Sequence, residues 1–233
     1  MKNVSILLVM LFLSSCGQKE SDLTVIGNIK GLKKGTVYLQ QLKDSTLVVL
    51  DSMVIAKEAP FKLQSDLEEP EVLLLMLDKN GTENERIAFF ADKGITEINT
   101  TLKRYVYDAK INGSPQQKQL DEFNGIIRKF NNQNLELIKE RFDAQKNGDS
   151  SLFNSKVAQA KNALKRKYLY AINFAINNKD SEVAPYVALA EIYDANTSYL
   201  DTIYNSLPKH IASSKYGKEL SLYIDKRKLE ENK

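Results

Sequence analysis

The chain has 233 residues, 42% hydrophobic and 27% charged, with a formal net charge of +3. Apolar content of that order without a low-complexity tract excludes a disordered chain and suffices for one large or two small domains. A charge so near neutrality makes no case for nucleic acid, and one cysteine with one histidine excludes the usual zinc ligand sets.

The N-terminus begins with a singly basic Met1-Lys2-Asn3 and continues as an apolar run from Val4 to Leu13. A membrane-spanning helix needs roughly 20 apolar residues, so this run reads as a secretory leader over residues 1–15 and not as a span. Leu13-Ser14-Ser15-Cys16 resembles a bacterial lipobox. That resemblance implies cleavage between Ser15 and Cys16 and acylation of the Cys16 thiol with diacylglycerol. The expected product is a lipoprotein held in the cell envelope, with the outer membrane as its site and the periplasm or the cell surface as its side. Two or more acyl chains anchor firmly where one holds marginally. The acylated sulfur can no longer form a thiolate, so disulfide exchange is excluded.

Residues 16–22 form a polar tether, and residues 23–113 read as a β-rich domain. Alternation over Val25, Gly27 and Ile29, a turn at Gly31–Gly35, and Val37 with Leu39 give two strands. Leu47–Ile55 and Phe61 with Leu63 give two more. The unbroken run Val72–Leu77 predicts a central strand covered on both faces. Asp78-Lys79-Asn80-Gly81 predicts a tight hairpin. Ile87–Ala91 and Ile95–Thr101 follow, and Tyr105, Tyr107 and Ile111 suggest a last strand. About eight short strands predict an antiparallel sandwich or a partly open barrel, so the fold class is α+β.

The period changes at Ser114-Pro115, a helix cap followed by proline at the first position, and residues 114–233 read as helical. Leu120, Phe123, Ile127, Phe130, Asn134 and Leu137 form one stripe. Asn147-Gly148 ends that helix and Asp149 or Ser150 starts the next, striped by Phe153, Val157, Ala160, Leu164, Tyr168, Ala171 or Ile172, and Ala175. Two such helices with a short link predict an antiparallel pair. Shorter helices start at Ser181, at Ser198 with Asp201, and near Gly217. Lys161, Lys165, Arg166 and Lys167 read as a solvated helix face.

Chemistry is sparse. His210 lies near Ser206, Ser213 and Ser214, the one place where a serine triad could be sought, but no Gly-x-Ser-x-Gly elbow is present. The segment from Asp78 to Glu83 places its glycine at the fourth position, not the sixth as a calcium loop requires. Gly31 and Gly35 flank a strand turn and open no helix. Glu68-Glu69 and Glu230-Glu231 fall in loop and tail sequence and give no hint of the burial that acid–base work needs. No catalytic residue, cofactor or metal is expected.

Gly27-Asn28-Ile29-Lys30-Gly31-Leu32, Gly35-Thr36-Val37-Tyr38-Leu39, Asp51-Ser52 with Val54, Phe61 with Leu63, Phe89 or Phe90 before Gly94-Ile95-Thr96-Glu97-Ile98, and Ile111-Asn112-Gly113-Ser114 occur in that order. Together they resemble the uncharacterised N-terminal domain of Gram-negative envelope lipoproteins that carry a thioredoxin-like, disulfide-reductase domain behind it. The helical part, ending in Leu207-Pro208 and Ser214–Leu220, is similar too. In that family a Cys-x-x-Cys domain follows. None occurs before Lys233, so the thioredoxin-like domain is expected to be absent and no redox residue is carried over. The resulting expectation is a non-catalytic, lipid-anchored binding or assembly module whose membrane contact is Cys16. An accessory role to a separate thioredoxin-like envelope protein is the alternative, and a hydrolase using His210 is the third.

Overall fold

The computed structural model describes residues 21–43, 45–79 and 85–231. Eight strands come first: β1 (Leu23–Lys30), β2 (Lys34–Lys43), β3 (Thr46–Ala56), β4 (Phe61–Ser65), β5 (Glu71–Asp78), β6 (Glu85–Ala91), β7 (Gly94–Thr101) and β8 (Lys110–Asn112). Six helices follow: α1 (Pro115–Lys146), α2 (Ser150–Asn177), α3 (Val183–Glu191), α4 (Thr197–Ser206), α5 (Lys209–Ala212) and α6 (Lys215–Glu231). Among the described residues, no helix is long and apolar enough to cross a membrane.

The strands form two four-stranded sheets, ordered β4-β1-β7-β8 and β3-β2-β5-β6. They make a sandwich and not a closed barrel, which decides between the two arrangements that the strand pattern allowed. Most pairs are antiparallel, but β1 and β7 run parallel, from Leu23 opposite Gly94 to Lys30 opposite Thr101. Period-two alternation sends Leu23, Val25 and Ile29 of β1, Val37 and Leu39 of β2, Leu73, Leu75 and Leu77 of β5, and Ile87 and Phe89 of β6 into one core. Each such side chain contributes roughly 1.5–3 kcal/mol on burial. Gly27 interrupts the β1 series because a Cβ there would lie 1.8 Å from the carbonyl oxygen of Ile98 and 2.8 Å from the Phe61 ring.

The unalternating run in β5 is double-faced. Its odd-numbered leucines enter the sandwich core, while Val72 packs against the helical core on the other side. The Asn80-Gly81 turn expected after it, and residues 80–83 of the segment compared with a calcium loop, lie outside the described residues. The last expected strand is shorter than the sequence suggests. Only Lys110–Asn112 pairs, with Glu97–Asn99 of β7, whereas Tyr105 sits in a turn. Its side chain is fully buried as a plug in the sandwich, its hydroxyl donates to the Leu75 carbonyl at 3.1 Å, and its own carbonyl accepts from Thr100 Oγ1 at 2.6 Å. Aromatic burial through a turn carries no period, so alternation could not detect it. Tyr107, two residues on, is 83% exposed.

The helices pack on β5 and β6. Phe90 is the contact point: its ring meets Tyr186 and Tyr216 edge-on at 5.6 and 5.8 Å, and it belongs to the helical core with Phe123, Ala171, Val187 and Leu220. Ser114 caps α1 as expected, accepting from the Gln117 N–H at 2.9 Å, and Asp149 caps α2 through the Leu152 N–H at 2.8 Å. The cap of α4 is Asn196, which accepts from the Ser198 N–H at 2.9 Å, and not Ser198. Asp201 accepts instead from Lys228 Nζ at 2.7 Å, since a tertiary cation is in reach. Helix α6 starts at Lys215, and Gly217 in its first turn admits the α5 backbone: a Cβ would lie 2.1 Å from the Ile211 carbonyl oxygen.

Candidate functional site

The antiparallel pair α1 and α2 is longer than the body it stands on. At 32 residues α1 is ~48 Å long, but its residues in the helical core end near Phe130. On α2 the corresponding residues begin near Tyr168. Between those limits Leu137, Ala144 and Ala163 are buried without belonging to either core. The helices there pack on each other alone, as an arm.

The arm does not bury all its apolar residues. Leu135, Ile138 and Phe142 are 63, 46 and 67% exposed on α1, and Val157 and Leu164 are 40 and 48% exposed on α2. The last two belong to the stripe expected to be core, and half of that stripe has no body to pack against. A cavity of about 390 Å³ runs along the seam, lined by Phe130, Asn131, Asn134 and Arg141 of α1 with Val157, Ala160, Lys161 and Leu164 of α2. Asn131, Leu135, Ile138 and Phe142 follow one another at spacings of four, three and four, so they form one ridge of α1. Of that ridge only Asn131 lines the cavity, whose α1 wall is Phe130, Asn131, Asn134 and Arg141; Val157, Ala160 and Leu164 are on the other wall.

Electrostatics set the arm apart. Residues 128–167 hold ten Lys and Arg against four Asp and Glu, a net +6, so the remainder of a +3 chain is net −3. Lys156 pairs with Glu140 at 2.9 Å, Lys167 with Glu191 at 3.0 Å, and Arg166 donates to Gln133 at 3.2 Å. The expectation of a merely solvated face fits these less well than it fits Lys165. Arg141 and Lys161 have no carboxylate partner among the described residues. The Arg141 guanidinium lies over the Phe153 ring at 5.9 Å, and its Nε is shielded from solvent without an acceptor.

A second concavity, about 680 Å³, opens where the sandwich mouth meets the start of α6. Asp22, Asp66, Glu68, Glu69, Glu71 and Glu219 line it with Lys43, Lys93 and Lys215. Much of this charge is engaged internally. Glu71, 5% exposed, is held by Lys215 Nζ and by Gln41 Nε2, the latter at 2.5 Å. Glu69 accepts from the Lys215 backbone N–H at 2.8 Å, a carboxylate at a helix N-terminus, and Lys93 pairs with Asp22 at 3.4 Å. Burial pushes the Glu219 carboxyl above its ordinary range, opposed by Lys215 and assisted by Glu71 and Glu69. The nearby Tyr216 hydroxyl accepts from the Val72 N–H at 2.8 Å, and burial raises its pKa well above that of a free tyrosine. These contacts tie sandwich to helices. Among the described residues, no cluster of three or more His, Cys, Asp or Glu could hold a metal ion.

Of the residues singled out from the sequence, Ser15 and Cys16 lie outside the described residues. His210 is exposed on α5. The three serine hydroxyls near it donate to backbone carbonyls: Ser206 to Ile203 at 2.7 Å, Ser213 to Lys209 at 2.8 Å, and Ser214 to Ile211 at 2.8 Å. None is presented to the imidazole, and no described carboxylate orients it. Arg141 was not singled out; its only sequence signal is a cation inside an apolar stripe.

A two-sheet sandwich with a helical region docked on one sheet is thus the class that the fold defines. Residues 23–120 match the family model described as Domain of unknown function (DUF4369). The match ends six residues into α1, so it includes Ser114 and Gln117, which join that helix to β6. No curated protein matches the chain.

Proposed function

We propose that this chain is a lipid-anchored cell-envelope lipoprotein that acts as a non-catalytic binding or assembly module. The observation that carries the binding role is the arm, whose apolar ridges stand open to solvent beyond either core. Contiguous exposed apolar surface on a folded protein marks an interaction site more often than an accident of composition. The anchor rests on the sequence alone, through the lipobox-like Leu13–Cys16 and the leader before it. In this reading acylated Cys16 holds the protein at the outer membrane, and the arm reaches a partner. A photoreactive residue at position 138, in the native envelope, is expected to give one discrete adduct that the same probe at Lys62 on the sandwich does not. Equal, diffuse labelling from both positions would remove the binding role. Mass spectrometry of the native protein tests the anchor: an intact leader or an unmodified Cys16 thiol would overturn it.

The accessory reading, in which the partner is a separate thioredoxin-like envelope protein, is supported by the family resemblance of the sandwich, to which the match over residues 23–120 adds. It predicts that loss of the protein shifts the thiol state of envelope proteins. An unchanged thiol profile would remove it.

A further inference from the structure

We propose that the groove between α1 and α2 is the docking site of an acidic, amphipathic helix from a partner protein. This deepens the binding-module reading and rests on it. The two antiparallel helices line the groove with Phe130, Asn131 and Asn134 of α1 and Val157, Ala160 and Leu164 of α2, and Leu135, Ile138 and Phe142 are exposed along the same stretch of α1. A third helix laid between them completes ridge-into-groove packing. The ridge from Asn131 to Phe142 spans ~17 Å, about three turns of helix.

Charge selects the sign of the occupant. The arm is net +6 while the rest of the chain is net −3. Within the arm Lys156 pairs with Glu140, and Lys167 with Glu191. Arg141 and Lys161, which line the groove, are left without any carboxylate partner among the described residues. Glutamates flanking the apolar stripe of a docked helix would meet both, and Arg offers a carboxylate two parallel donors. A second copy of this chain is disfavoured as occupant, because two +6 arms repel. A lipid surface is disfavoured by shape: Arg141 is sunk in the groove against Phe153, whereas a membrane-binding face carries its cations at the rim.

The test titrates the mature protein with a synthetic Leu/Glu amphipathic helix of about 18 residues, ~27 Å long, its Leu/Lys counterpart, and vesicles of phosphatidylglycerol or phosphatidylcholine. Saturable binding of the Leu/Glu helix is expected, weakened by added salt and by about tenfold or more in R141E or K161E. V157S with L164S should weaken it too, with circular dichroism of every variant unchanged. No saturable binding, or equal binding of the Leu/Lys helix, would overturn the proposal. So would binding to phosphatidylglycerol vesicles alone that the same variants abolish, or self-association that they abolish. If the position-138 adduct persists while the Leu/Glu helix fails to bind, the partner chemistry falls and the binding module stands. If neither is seen, both fall.

Discussion

Gln117 Oε1 accepts a hydrogen bond from the backbone N–H of Phe90 at 2.6 Å, and Ser114 Oγ donates to the Phe90 carbonyl at 2.7 Å. Strand β6 is the last of its sheet, so its outer N–H and C=O groups would otherwise be unpaired. The cap and first turn of α1 supply both partners of Phe90 at that edge, where a neighbouring strand would otherwise do so.

Replacing Gln117 with Ala should therefore strand a buried N–H. The expected loss is about 1–3 kcal/mol, or roughly 2–4 °C of Tm per kcal/mol for a chain of this size. Urea unfolding measures it; an unchanged midpoint would show that water satisfies Phe90 as well as Gln117 does.

How much of this was legible beforehand varies with the range of the interaction. Period-two alternation and short turns locate the strands, and Ser114-Pro115 locates the switch to helix, because those signals are local. Ser114 with Gln117 also has the spacing of a capping box, yet the Gln117 side chain goes to Phe90 instead, a partner 27 residues back. The plug role of Tyr105 and the pairing of Glu71 with Lys215 are likewise set by tertiary contacts. The stripe on α2 predicts burial for Val157 and Leu164 as firmly as for Ala171. Only the shape of the body decides that the first two stay open, and periodicity does not encode where the body ends.

Stability should fall in alkali, and Tyr105 should account for part of the fall. Burial foremost, then the charge of Glu85, raises the Tyr105 pKa above the ordinary 10.0. Burial likewise raises that of Tyr216. A phenol is neutral when protonated, so the folded state keeps its proton to higher pH than the unfolded chain does. The contribution is whole below about pH 10 and is lost above it, by up to ~1.4 kcal/mol per pH unit for each tyrosine. Urea unfolding from about pH 8 to about pH 11 should show this slope, and Y105F should reduce it while losing about 1 kcal/mol with the bond to Leu75. Parallel pH curves for the two proteins would count against Tyr105.

Gly27→Ala should prevent the sandwich from forming. The added methyl would sit 1.8 Å from a backbone oxygen of β7, and β1 cannot retreat because β4 holds it from the other side. Separating β1 from β7 would undo a parallel pairing over eight residues. Circular dichroism and a dispersed proton spectrum would read the outcome, and a native-like spectrum would mean that the strand can shift by more than 1 Å at little cost.

The arm and the core should respond oppositely to polar substitution. Phe123 is fully buried, stacked on Tyr170 with centroids 5.6 Å apart and tilted against Phe174 at 4.8 Å. F123A should cost about 3–5 kcal/mol through lost transfer energy and the cavity left behind. Phe142 lies on the same helix but 67% exposed, and F142S should change stability by no more than about 0.5 kcal/mol. The two together decide whether the arm's apolar residues hold the fold. Urea midpoints that drop alike in both variants would place Phe142 in a packed core and close the groove as a surface; a drop in F123A alone leaves the ridge available for something outside the chain.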